Sequence, residues 1–198
     1  MRLSTFAAIA QALAEEGVRY LVAGGMAVIA RGYPRFTVDV DLVIALDRDN
    51  VLAAFRALGQ LGYRPTVPVS AEDFADTGRR QGFIRDKGML VLNFHSPSHK
   101  ATPVDVFVVE PFDFAVEYER TRPEEIAPGV VARFVTISTL DAMKSGADWE
   151  ARRRAKIRQW LRLTVRERFQ AVEAAGEFAR FMASKREGEG SAEPGTRR

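Results

Sequence analysis

Residues 37–46 read TVDVDLVIAL. A run so rich in β-branched residues, with alternating apolar positions, is a strand, and it must be covered on at least one face. That requirement pulls the chain toward a layered fold of sheet and helices. Yet acids occupy alternate positions in its first half. Successive strand side chains point to opposite faces, so Asp39 and Asp41 share one face, about 7 Å apart by strand rise. Val38, Val40 and Leu42 take the other. Two like charges side by side on a half-buried strand repel and lose solvation. A divalent cation removes both penalties. Alone, the D-x-D pair equally fits the start of a strand near a turn.

A second strand, residues 103–109 (PVDVFVV), places Asp105 between apolar neighbours in the same way. If the two strands are neighbours, three carboxylates converge. Oxygen ligands without histidine or cysteine suit Mg²⁺ or Mn²⁺ rather than zinc. Such a set is the arrangement used for in-line phosphoryl and nucleotidyl transfer.

The remaining elements alternate in type. Ser4 or Thr5 is expected to cap a first amphipathic helix ending at Gly17, followed by a buried strand over 18–23. Gly24-Gly25 turns the chain into a small-residue helix that stops near Gly32 and Pro34. Asp47 or Asp49 caps a helix over 50–61, residues 71–87 are helical in part, and residues 89–94 (MLVLNF) form a strand. Residues 130–137 read as a last strand, and Ser138 or Thr139 caps the helix that follows. Strands alternating with helices and then lying adjacent predict an α+β fold, a small mixed sheet flanked by helices with a helical C-terminal part.

Composition narrows the chemistry. The chain has 198 residues and no cysteine, so disulfides, thiolate metal sites and cysteine nucleophiles are excluded. This fits a reducing cytoplasm. No stretch approaches the roughly 20 apolar residues of a membrane span, and the acidic Glu15-Glu16 argues against a signal peptide. The net charge of +3 says little about partners.

Glycines between a strand and a helix let backbone approach a phosphate closely, beside free N–H groups at the helix N-terminus. The order GG, then R-x-T-x-D-x-D, then a strand aspartate resembles the DNA polymerase β-type nucleotidyltransferase superfamily. Within it the chain is similar to the small prokaryotic branch that includes abortive-infection toxins. The matching residues are Gly24, Gly25, Arg35, Thr37, Asp39, Asp41 and Asp105, and STLDAMK, ending at Lys144, resembles that group's phosphate-binding helix lysine. The resemblance spans roughly residues 18–146. Composition shifts beyond Pro111 and offers almost nothing to bury from about Lys185, so the chain is expected to divide into a nucleotidyltransferase catalytic core over 1–110, a C-terminal strand and helices over 111–184 packed on it, and a disordered tail over 185–198. The resemblance implies a nucleoside triphosphate donor and Mg²⁺ or Mn²⁺. Asp39 and Asp41 would bridge two metal ions, and Asp105 would complete one site and help deprotonate the nucleophile. Gly24, Gly25, Arg35, Thr37 and Lys144 would hold the nucleotide. Two departures stand out: Met26 follows the glycines where relatives carry a small or hydroxyl residue, and the stretch after Lys144 is altered.

The acceptor is open. Arg152, Arg153, Arg154, Lys156, Arg158 and Arg162 form a basic run that could be a solvated helix face or could grip RNA, with Trp149 or Trp160 as a stacking plane. A toxin acting on tRNA, with a cognate antitoxin protein, fits that run. A small hydroxylated acceptor of the aminoglycoside kind fits the fold equally well, and protein AMPylation is a further option. The rival from another class is a non-catalytic nucleotide-binding or interaction module. His95 and His99 are interrupted by Pro97 and make a poor zinc pair.

Overall fold

A computed structural model describes residues 2–33, 35–143 and 163–174. Its centre is a five-stranded mixed sheet in the order β1-β2-β5-β4-β3, where β1 is Tyr20–Val22, β2 Val40–Ile44, β3 Arg64–Pro65, β4 Val91–His95 and β5 Val104–Phe107. β2 and β5 run parallel, and the other three pairings are antiparallel. The fold is α+β, as expected.

The alternation works as physics requires. Val40, Leu42, Leu92, Phe94, Val104 and Val106 are all buried on one face, while Asp41, Asn93 and Asp105 are not. Helix α3 (Arg48–Gln60) and helix α4 (Ala71–Ala75) supply Phe55 and Phe74 to that covered side, and the Phe55 ring meets Phe94 and Phe74 at 5.1 and 5.6 Å between centroids. Asp47 caps α3, accepting from the Asn50 N–H at 3.1 Å. The helical stretch over 71–87 is two helices, α4 and α5 (Thr77–Lys87). Ser70 and Asp76 provide their caps, and Gly88 closes the second in the left-handed region at φ 60°.

Helix α1 (Leu3–Glu15) buries Phe6, Ile9, Ala10 and Leu13, a single stripe at helical spacing. Its expected caps are absent. Thr5 is buried inside the first turn and its hydroxyl lies 3.5 Å from His99 Nδ1, so it is not available to cap. The Leu3 N–H instead donates to Glu173 at 3.1 Å, a carboxylate brought from 170 residues away to the positive end of the helix.

The strand expected over 130–137 is shorter and bent. β6 (Glu124–Ala127) and β7 (Val130–Ala132) form a separate hairpin around Gly129, whose φ is 72°. The chain then runs beside β1: Val22 N–H donates to Arg133 O at 2.8 Å and Val135 N–H to Val22 O at 3.0 Å. α6 (Phe114–Arg120) precedes the hairpin. α7 (Ile137–Met143) follows it and is capped by Thr136, not by Ser138 or Thr139; the Thr139 N–H donates to Thr136 Oγ1 at 3.3 Å. Residues 165–174 form a further helix, which lays Phe169 against Phe6 and Phe134.

Candidate active site

The sheet register assembles the acids. Asp41 on β2 is the direct partner of Asp105 on β5, and Asp105 is in turn the partner of Asn93 on β4. One row across three strands therefore reads Asp41, Asp105, Asn93, all on the face that the helices leave open. Asp39 lies two residues before Asp41, just ahead of the strand, and returns to the same spot. One carboxylate oxygen from each of Asp39, Asp41 and Asp105 lies within 4.8 Å of the others. The three acids expected to converge do so.

The segment leading into β2 is not itself a strand. Residues 35–39 carry no ladder pairing, and Val38, expected on the covered face, is 62% exposed because the helices do not reach past Val40. What holds this segment is local. Thr37 donates its hydroxyl to Asp39 Oδ1 and packs over Gly25, where a side-chain carbon would come within 2.5 Å of Thr37 Oγ1. Thr37 thus acts on the site through Asp39 as well as lying beside the glycine turn.

Helix α2 (Gly24–Ala30) starts at the glycines themselves. Gly24 has φ 54°, and a Cβ there would fall inside the Asp41 carboxylate. The Gly25 N–H hydrogen-bonds Asp41. Both glycines are therefore required by close packing, Gly24 against the Asp41 carboxylate and Gly25 against Thr37, a reason that the sequence pattern alone does not reveal.

The electrostatics follow from the crowding. Burial, the Asp39 charge and the Asp105 charge push the Asp41 carboxyl up to about 6, opposed by the Gly25 N–H and by Arg35. Burial, and then the Asp39 charge, also raise Asp105, while the Asn93 hydrogen bond pulls it down. A cluster of acids that resists its own ionisation is the donor set a hard divalent cation relieves. The fit is good: all donors are oxygens, they are near one another, and they face the open side of the sheet.

Arg35 is exposed and acts on Asp41 through its charge. Lys144 and the basic run over 152–162 lie outside the described residues. Asn93 was not anticipated, although its place between buried Leu92 and Phe94 marks it as pointing to the acidic face. Its amide donates to Asp105 Oδ1 at 2.6 Å. His99 stacks on Tyr63 with 5.7 Å between centroids.

No family model and no curated protein sequence matches the chain. Among solved structures it is similar to the antibiotic-resistance factor ANT(2'')-Ia in solution, with 16% identity over 94% of this chain and 96% of that one, and a TM-score of 0.45. A crystal structure of ANT(2'')-Ia in complex with adenylyl-2''-tobramycin is similar over 90% of this chain and 98% of that one, at 16% identity and a TM-score of 0.43. The lincosamide antibiotic adenylyltransferase LnuA, bound to lincomycin, is similar at 12% identity over 74% of this chain and 88% of that one, with a TM-score of 0.40. Likeness this distant assigns neither reaction nor substrate to the present chain.

Proposed function

We propose that the chain is a metal-dependent nucleotidyltransferase that moves a nucleoside monophosphate from a nucleoside triphosphate to the hydroxyl of a small acceptor. The observation that carries this reading is the meeting of Asp39, Asp41 and Asp105 within 4.8 Å on an open sheet face, packed against a glycine turn. The motif resemblance over Gly24, Gly25, Arg35, Thr37 and the three acids supports it.

In the proposed reaction the acceptor oxygen attacks the α-phosphorus, a new P–O bond forms, and the bond to the bridging oxygen breaks. Pyrophosphate leaves with the electron pair. Asp105, whose proton affinity is raised by burial, takes the hydroxyl proton. Asp39, Asp41 and Asp105 would hold Mg²⁺ or Mn²⁺, which supplies charge neutralisation for the triphosphate and the leaving group. Arg35, whose charge reaches Asp41, and Lys144 are both assigned to the phosphates from the motif, Arg35 through the bidentate contact a guanidinium can make. Thr37 keeps Asp39 turned toward the cluster. Catalysis is then mainly positioning and charge compensation, as in phosphoryl transfer generally.

We favour a small hydroxylated acceptor over tRNA. The groups hydrogen-bonded to the triad are a threonine hydroxyl, an asparagine amide and a backbone N–H, uncharged groups that suit a hydroxylated compound better than a polyanion. The test is incubation with each α-labelled nucleoside triphosphate, Mg²⁺ and a panel of tobramycin, lincomycin and total tRNA. Label on a small compound supports the reading, and label on tRNA replaces its acceptor. Asp39→Ala must abolish transfer while keeping the fold. Tight triphosphate binding with no transfer to any acceptor would favour an interaction module.

A further inference from the structure

We propose that Asn93 is a positioning residue of this site: it fixes the Asp105 carboxylate and offers its remaining amide atoms to the acceptor hydroxyl. The inference deepens the reading above and rests on it.

Asn93 occupies an exposed strand position, where a side chain normally wags freely in water. Here it is not free. Its Nδ2 donates to Asp105 Oδ1 at 2.6 Å, and the two residues are direct partners across the antiparallel β4–β5 pair. Asp105 is at the same time the direct partner of Asp41 across β2–β5. The amide therefore ends a row whose other members are two carboxylates, on the side away from β2.

The consequences are geometric. A carboxylate on a strand can rotate about its terminal torsion, which is broad and roughly two-fold. Occupying Oδ1 with a donor from β4 restricts that rotation and leaves Oδ2 as the oxygen free of the amide. The acceptor must come close to Asp105 for its proton to be taken. Asn93, adjacent and exposed, still has one N–H and its carbonyl oxygen uncommitted by the Asp105 bond. An attacking hydroxyl at Asp105 thus has a donor and an acceptor within reach. Neighbours that orient ligating carboxylates typically change metal affinity or activity by roughly 10–100-fold when removed.

The experiment uses Asn93→Ala and Asn93→Leu, the latter keeping the shape of asparagine without its hydrogen bonds. Mn²⁺ titration of the whole chain, followed by electron paramagnetic resonance without substrates, is expected to show affinity weakened about tenfold or more in both. Transfer is expected to lose about tenfold or more in kcat, with affinity for a non-reacting triphosphate analogue within about twofold of wild type. The thermal midpoint should stay within a few degrees. A purely structural residue would shift the midpoint and leave Mn²⁺ affinity intact, and that outcome overturns the proposal, as does wild-type behaviour in both variants. Should Asp39→Ala keep transferring nucleotide, the reaction itself is wrong, yet the Mn²⁺ titration still decides whether Asn93 organises Asp105.

Discussion

Gly24 and Asp41 are packed so closely that a single added carbon at position 24 would overlap the Asp41 carboxylate. Two independent costs therefore attend Gly24→Ala. The backbone sits at φ 54°, where an L side chain costs roughly 1–2 kcal/mol, and the new methyl displaces the carboxylate. Gly88 isolates the first cost: its φ is 60°, with nothing within 4 Å of an added Cβ. Gly88→Ala should lower the thermal midpoint by a few degrees and leave Mn²⁺ binding unchanged. Gly24→Ala should lower it further and remove binding. Equal effects in the two variants would mean that Asp41 is not held by this contact.

Asp41→Asn should make the metal-free protein more stable at neutral pH while ending transfer. The carboxyl is held up at about 6 against an ordinary 3.8, so between those values the folded chain binds the proton more tightly than the unfolded one. Its contribution to stability is fully present below pH 3.8 and is lost as pH rises through 6. The size is no more than about 3 kcal/mol, and less where solvent screens the group. Urea unfolding in a chelator at pH 4.5 and 7.5 measures it. Removing the charge should flatten the difference between the two pH values, and a variant less stable than wild type at pH 7.5 contradicts the like-charge account.

Adding the cation should reverse that penalty. At a hundred times its dissociation constant a ligand that binds only the folded state stabilises it by about 2.7 kcal/mol. The stabilisation by Mg²⁺ or Mn²⁺ should be largest near pH 7.5 and fade below pH 6 as Asp41 takes a proton. Thermal scans across pH, with and without the metal, check this. Stabilisation that is the same at pH 5 and 7.5 would place the cation elsewhere.

The acids were legible in the sequence because alternation fixes the face of a residue from its immediate neighbours. Val40 and Leu42 had to be buried, so Asp41 between them had to face away, and Val104 and Val106 do the same for Asp105; Asp39 lies ahead of the strand, where the Thr37 hydroxyl holds it instead. The position of Asn93 opposite Asp105 was not legible, since register between separate strands is a non-local property. The caps illustrate the same divide. Asp47 caps its own helix three residues on, a local pattern, whereas Glu173 reaches the first turn of α1 only through tertiary packing. α6 and β6 were not legible because seven and four residues are too short to establish a period, and β7 was legible only as the start of a longer strand.

Arg31 offers a test of how the C-terminal segment is held to the site-bearing helix. It follows α2 directly and serves three acceptors: Nε to Val135 O at 2.9 Å, Nη2 to Phe134 O at 2.7 Å, and Nη1 to Glu124 Oε1 at 2.8 Å. The planar fork suits this geometry, and a lysine ammonium cannot copy it. The ion pair is the smaller part, because the side chains are 20% and 26% exposed and exposure screens such pairs. The two carbonyls matter more, since leaving a buried acceptor unpaired costs roughly 1–3 kcal/mol. Glu124→Ala is therefore expected to cost under about 1 kcal/mol, and both Arg31→Ala and Arg31→Lys about 2–3 kcal/mol or more. Denaturant unfolding of the three variants decides it. Equal losses for Glu124→Ala and Arg31→Ala would show that the charge pair, and not the carbonyl contacts, ties residues 134–135 to the end of α2.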